Sequence, residues 1–177
     1  MGRRHLDARQ YGQRGQAFVG SVRARVIAVG TRPPAWVREA YADYTRRLGP
    51  RLKLTLVEIE PGPRSAGQSP RKAVETEARK LLTALRPGEW VVALDEHGTQ
   101  MSTRELAEWL EGRMREGRDL AFLIGGPDGF APEVVARSDV SLSLSRLTLP
   151  HALVRVVLAE QLYRAVSILT HHPYHRD

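Results

Sequence analysis

The residues of this 177-residue chain whose types and spacing could do chemistry lie in two glycine-bearing turns, one leucine-rich loop and a histidine-rich tail. The turns are Asp95-Glu96-His97-Gly98, after the apolar run Val92-Ala93-Leu94, and Gly125-Gly126-Pro127-Asp128-Gly129, after Phe122-Leu123-Ile124. In an open parallel sheet, ligands bind beyond the carboxyl ends of the strands, so these turns are the expected lip of a site. Gly125, Gly126 and Gly129 permit positive φ and close approach of backbone to a ligand. An ordinary tight turn accounts for them equally well. The spacing is neither that of a dinucleotide fingerprint nor that of a phosphate loop, since G-x-G-x-x-G and a following Gly-Lys-Ser/Thr are both missing.

Residues 141–151 read SLSLSRLTLPH, a strand running through a loop into a helix start. Leucine walls with free backbone amides and carbonyls suit a flat, uncharged ring such as adenine. A plain connection whose leucines belong to the core is the simpler reading of that stretch alone. His151 falls in the first turn of the helix, where the dipole disfavours an imidazolium. A neutral imidazole there could accept a proton; a capping or solvent-exposed histidine is the commoner case. The tail Thr170-His171-His172-Pro173-Tyr174-His175-Arg176-Asp177 is either an active-site tail or a structureless polar terminus. Its histidine spacing matches no standard metal pattern, and no metal is expected.

The elements that must position these groups follow from periodicity and punctuation. Strands are expected at 22–29, 52–59, 90–94, 120–124 and 140–144. Trp36, Val37, Ala40, Tyr41, Tyr44 and Leu48 recur at helical spacing. Val74, Ala78, Leu81, Leu82 and Leu85 mark a second helix opened by Ser69-Pro70. Residues 60–69 read as a mobile loop. Ser102 with Glu105 forms a capping-box signature, and Gly117 suits the far end of that helix. A short helix over 132–136 and a final one over 151–169 complete the chain. Strand and helix alternate throughout, which predicts an α/β fold with a mainly parallel sheet and flanking helices. The final helix carries apolar residues in nearly every direction, so it must be covered all round, and a second subunit is expected to pack on it.

Composition bounds the partners. Lys+Arg number 27 against 20 Asp+Glu, a formal +7 with a pI near 10.3. Arginine dominates, which GC-rich coding explains, but coding style does not explain the net excess. A surplus of cations favours polyanions, nucleic acid above all. No cysteine is present, so disulfides and thiolate metal sites are excluded. Residues 1–21 lack both an apolar core and a hydrophobic period; they read as a disordered basic extension ahead of one domain over 22–177. No membrane span or secretory signal is expected, and a cytoplasmic location is the simplest reading.

Taken jointly, LDEHG at 94–98, LIGGPDGF at 123–130, LSRLTLPHALVR at 144–155, AEQLYRAVSI at 159–168 and HPYHRD at 172–177 resemble the SPOUT-class methyltransferases, in detail the RlmH family. The family commonly has Glu after GGP, where this chain has Asp128. The resemblance covers about 22–177 and implies a homodimer with a C-terminal trefoil knot. It implies S-adenosyl-L-methionine as methyl donor, held by Leu94, Gly125 and the loop Leu144, Ser145, Arg146, Leu147, Thr148 and Leu149. It implies methylation of N3 of a pseudouridine in helix 69 of 23S rRNA, on the ribosome. The expected roles are charge stabilisation by Arg176, stacking or hydrogen bonding by Tyr174, and proton acceptance by His151. Rival readings are a SPOUT enzyme with another RNA target, a non-catalytic basic RNA-binding module, and an α/β enzyme that holds phosphate on GGPDG.

Overall fold

β1 (Val22–Val29) is apolar except for Arg23 and Arg25, and it pairs in parallel with β2 (Leu52–Ile59) and β4 (Leu120–Ile124). All five residues of β4 are buried, as a continuous apolar run requires cover on both faces. β4 pairs with β3 (Trp90–Gln100), and β3 with β5 (Val140–Ser143), so five parallel strands stand in the order β2-β1-β4-β3-β5. The computed structural model describes residues 22–65 and 69–174. The extension expected over 1–21 and the tail residues His175 and Arg176 lie outside the described residues.

Among the described residues five α-helices flank the sheet: α1 (Ala35–Leu48), α2 (Arg71–Ala84), α3 (Thr103–Glu116), α4 (Pro132–Arg137) and α5 (His151–Leu169). The alternation of side chains along β1 sorts them. Ala24, Val26 and Ala28 pack with Phe122 against α1, α3 and α5. Ile27 and Val29 pack with Leu123 against α2 and α4. The expected α/β architecture therefore stands, as three layers. Ser102 and Glu105 close a reciprocal capping box at the start of α3, and Gly117 ends it at φ 67°. Trp36, placed on the periodic face of α1, is instead 55% exposed; the buried stripe there is Val37, Tyr41 and Leu48.

β3 is longer than its apolar run. Asp95-Glu96-His97-Gly98 does not end the strand but forms a bulge in it, after which Thr99 and Gln100 pair again with Leu142 and Ser143 of β5. The return depends on Gly98, where a Cβ would stand 2.7 Å from the backbone of Ser141 and Leu142.

Among the described residues Arg25, Arg113 and Arg155 are buried. Arg25 Nη1 donates to both oxygens of Glu89 at 2.9 and 3.1 Å, and its Nη2 donates to the Ala84 carbonyl. That pair ties β1 to the end of α2. Arg155 of α5 reaches the carboxyl end of β1, and its contacts belong to the site below. One side of α5 is covered within the chain through Leu158, Leu162 and Ala165, while Leu153, Val156 and Val157 stay half-buried. At its end, His171 takes a left-handed φ of 52°, its N–H bonds the Ile168 carbonyl, and the His172 N–H bonds that of Ser167. This double closure turns the chain back along α5.

Candidate active site

The carboxyl ends of β4 and β5 and the bulge of β3, which lies between them in the sheet, open into one cleft of about 510 Å³. That lies within the range of small-molecule sites. Leu94 stands where β3 enters its bulge and Gly125 follows the end of β4, Leu144, Ser145, Leu147, Thr148 and Leu149 line one side, and His151 completes it. Seven of the eight donor-site residues expected from sequence thus meet in one place. Arg146, between them, is exposed and is not among the lining residues.

The loop at 144–149 is braced by its own hydroxyls. Ser143 Oγ donates to the Ser145 carbonyl at 2.9 Å, and Ser145 Oγ accepts from the Leu147 N–H at 2.9 Å. Thr148 Oγ1 donates to Glu96 of the β3 bulge at 3.1 Å, tying the two rims together. Leu147, among the lining residues, is 75% exposed.

The GGPDG turn closes through the Gly129 N–H on the Gly126 carbonyl at 3.1 Å. Of its three glycines only Gly129 takes a positive φ, 75°. Gly126 is required for a different reason: a Cβ there would lie 2.7 Å from Glu77 Oε2. Glu77, on the apolar stripe of α2, has a side chain 2% exposed. It accepts from the Gly62 N–H at 2.8 Å and from Arg64 Nη1 at 2.6 Å, while Arg64 also reaches Asp128 of the turn at 2.8 Å. Sequence reasoning missed this clasp. The segment expected as a mobile loop is irregular, but its first part is pinned to the floor of the cleft. The available signal was a carboxylate at 77, four residues from Ala73 and from Leu81 on one helical face. Replacing Arg64 with methionine leaves a buried carboxylate with only the Gly62 amide, and should cost about 1–3 kcal/mol of folding stability. Urea denaturation of the variant against wild type measures it.

His151 begins α5 with Pro150 as its cap. Its imidazole pKa is held below the ordinary 6.5 by burial, then by the charges of Arg155 and Arg64, with Glu77 opposing. Neutral at lower pH than a free histidine, it keeps its capacity to accept a proton.

Tyr174 is not at the cleft within one chain. Its hydroxyl donates to Glu160 at 3.4 Å, its ring lies 4.5 Å from that of Tyr163, and Arg164 sits 5.1 Å from its centroid. Burial, with Tyr44 and Glu160 beside it, pushes the phenol up to about 12. Glu160 lies nine residues beyond His151 on one helix, about 14 Å along the axis. No group of three His, Cys, Asp or Glu that could hold a metal is found among the described residues, and no described helix is long and apolar enough to cross a membrane.

Comparison with known proteins shows the family to which the chain belongs. The family model described as "Predicted SPOUT methyltransferase" matches residues 22–175. The chain is 53% identical over 155 residues to the ribosomal RNA large subunit methyltransferase H of Stenotrophomonas maltophilia (strain R551-3), covering 88% of this chain and 99% of that protein. It is 53% identical over 156 residues to the protein of the same name from Thiobacillus denitrificans (strain ATCC 25259 / T1), covering 88% and 100%. Among solved structures, a "probable methylase family protein" from Haemophilus influenzae Rd KW20 superposes with a TM-score of 0.50 at 14% identity, covering 88% of this chain and 70% of that one. That last likeness bears on the fold alone.

Proposed function

Because the chain belongs to the SPOUT methyltransferase family and, within it, to the ribosomal RNA large subunit methyltransferase H proteins, we propose that it methylates N3 of a pseudouridine in helix 69 of 23S rRNA. The donor is S-adenosylmethionine, and the observation that carries the reading is the cleft where Leu94, Gly125 and the loop at 144–149 converge. Those residues fit the donor. Leucine walls suit the adenine faces, the hydroxyl-braced loop presents fixed backbone groups to its edges, and the volume suits a nucleoside with an amino-acid arm. Bound there, the donor would supply the methyl, its S–CH3 bond breaking with the pair left on sulfur as the N3–CH3 bond forms.

The chain's own residues then orient and deprotonate. N3 of the base is a weakly acidic imide and must give up its proton near the moment of transfer. His151, in the wall of the cleft and kept neutral, is the acceptor. Arg176 stabilises charge developing on the flanking carbonyl oxygens, and Tyr174 stacks on or bonds the base. The Tyr174 hydroxyl is held at Glu160, about 14 Å along α5 from His151, which argues against one chain supplying both. A homodimer along the open side of α5, where Leu153, Val156 and Val157 are only half-buried, would turn one subunit's tail toward the other's cleft. The C-terminal trefoil knot and a cytoplasmic location belong to the same reading. The net charge of +7 supports an RNA partner.

Val157→Glu places a charge on that side of α5. It should give a species of 19.8 kDa in sedimentation where wild type runs at twice that mass, and methyl transfer should fall with it. The function itself is tested by incubating the protein with methyl-labelled S-adenosylmethionine and ribosomes lacking the modification, then locating the methyl by mass spectrometry. Label on N3 of a helix 69 pseudouridine is expected. Transfer to another RNA, or to none in any ribosomal state, overturns the reading.

A further inference from the structure

A second cleft, of about 310 Å³, opens at the carboxyl ends of β1 and β2, bounded by Gly30, Thr31, Glu60, Pro61 and Arg155. His151 belongs to the walls of both clefts. The Nε2–Cδ2 edge of its ring lies beside the second: a Cβ on Gly30 would stand 3.7 Å from His151 Nε2 and 3.9 Å from Cδ2. Arg155 forms the floor and is already committed, with Nη1 on Glu58 at 2.7 Å and Nη2 on the Val29 carbonyl at 3.1 Å.

Glu60 is different. It stands exposed at the lip and is held from two sides. Thr31 Oγ1 donates to its Oε2 at 3.1 Å, and Lys80 Nζ donates to its backbone carbonyl at 2.9 Å. The cleft therefore offers a proton acceptor on one wall and an oriented carboxylate on another, beside the cleft assigned to the donor.

We propose that the second cleft seats the target base and that Glu60 accepts the N1–H by which pseudouridine differs from uridine. The inference rests on the functional reading above. Pseudouridine is joined to its sugar through carbon, so its ring carries two N–H groups, N1 and N3, on adjoining edges; uridine uses N1 for the sugar and keeps only N3–H. A base that gives its N3 proton to His151 presents N1–H to a neighbouring wall. A carboxylate held in place by Thr31 gains a charge-assisted hydrogen bond from the N1–H of pseudouridine and none from uridine, a difference of about 1.5–3 kcal/mol, tenfold or more. In the transfer, N3–CH3 forms and the N3 proton passes to His151 Nε2, while the bond to Glu60 orients the ring and is neither made nor broken. Isomerisation of uridine to pseudouridine within the RNA must then precede this methylation.

The test is a ratio: kcat/KM on ribosomes carrying pseudouridine at the target over that on ribosomes carrying uridine there, with S-adenosylhomocysteine affinity measured alongside by calorimetry. In Glu60→Leu the ratio should fall by about tenfold or more, and in Thr31→Val by less, because the carboxylate remains but is no longer oriented. Affinity for S-adenosylhomocysteine should stay at the wild-type value in both. An unchanged ratio in Glu60→Leu, or an equal loss on both ribosomes, overturns the inference while the wild-type turnover keeps the functional reading standing. Wild type that methylates neither ribosome removes that reading itself.

Discussion

Replacing His151 with alanine is expected to lower single-turnover methyl transfer by about a hundredfold or more, the lower range for removal of a positioned proton acceptor. Donor affinity should change far less, since the leucine loop and the strand ends remain. Rapid-quench turnover with calorimetry of S-adenosylhomocysteine binding separates the two. The pH dependence carries the same signature. Burial, Arg155 and Arg64 hold the imidazole pKa below 6.5, with Glu77 pulling the other way. The wild-type rate should therefore fall only as pH drops through a midpoint below 6.5, and this acid limb should vanish in His151→Ala. Folding shows the linked effect. Between that depressed midpoint and 6.5 the unfolded chain binds the proton and the folded one does not, so the His151 contribution to stability rises with pH across that window. An NMR titration of the ring at or above 6.5 would contradict both.

Arg155→Leu should be among the most destabilising single changes in the chain, at about 3 kcal/mol or more. Arg155 is 1% exposed and extends from α5 to the end of β1. Its guanidinium satisfies the Glu58 carboxylate and the carbonyls of Val29 and Gly30. Glu58 has a side chain 34% exposed and can turn to water once its partner is gone. The loss therefore comes mainly from two stranded carbonyls and from the space vacated by a large side chain. Glu58→Gln should accordingly cost under about 1 kcal/mol, as for a partly exposed pair. Chemical denaturation of both variants measures the difference, and near-equal losses would mean that the ion pair, not the carbonyl contacts, anchors α5.

The strands were legible because their physics is local. The alternation at Leu52, Leu54 and Leu56, the unbroken run from Leu120 to Ile124, and the reciprocal cap of Ser102 and Glu105 each declare themselves within a few residues. The meeting of Leu94, Gly125 and the loop at 144–149 in one cleft was legible for a related reason: once the sheet is parallel, the segments after Leu94, Ile124 and Ser143 must emerge at the same edge. What escaped depends on contacts distant in sequence. Asp95-Glu96-His97-Gly98 has the composition of a turn, and only the approach of β5 to Gly98 makes it a bulge. Arg64 lies in a stretch with no pattern, and its place is set by a carboxylate thirteen residues on and an aspartate sixty-four residues on. Glu60 and Thr31 come from the ends of different strands and meet only because β1 and β2 are neighbours. Charged residues inside apolar stripes, Arg25, Glu77 and Arg155, were the readable trace of all this. Each is a buried group that must have found a partner.

What the cleft between the β3 bulge and the ends of β4 and β5 holds is decided by a crystal structure of the protein with S-adenosylhomocysteine. The predicted result is the adenine ring between the leucines of the loop at 144–149, with the sulfur directed toward His151. Ligand bound anywhere else, or a cleft that takes phosphate at GGPDG and excludes S-adenosylhomocysteine, would contradict it.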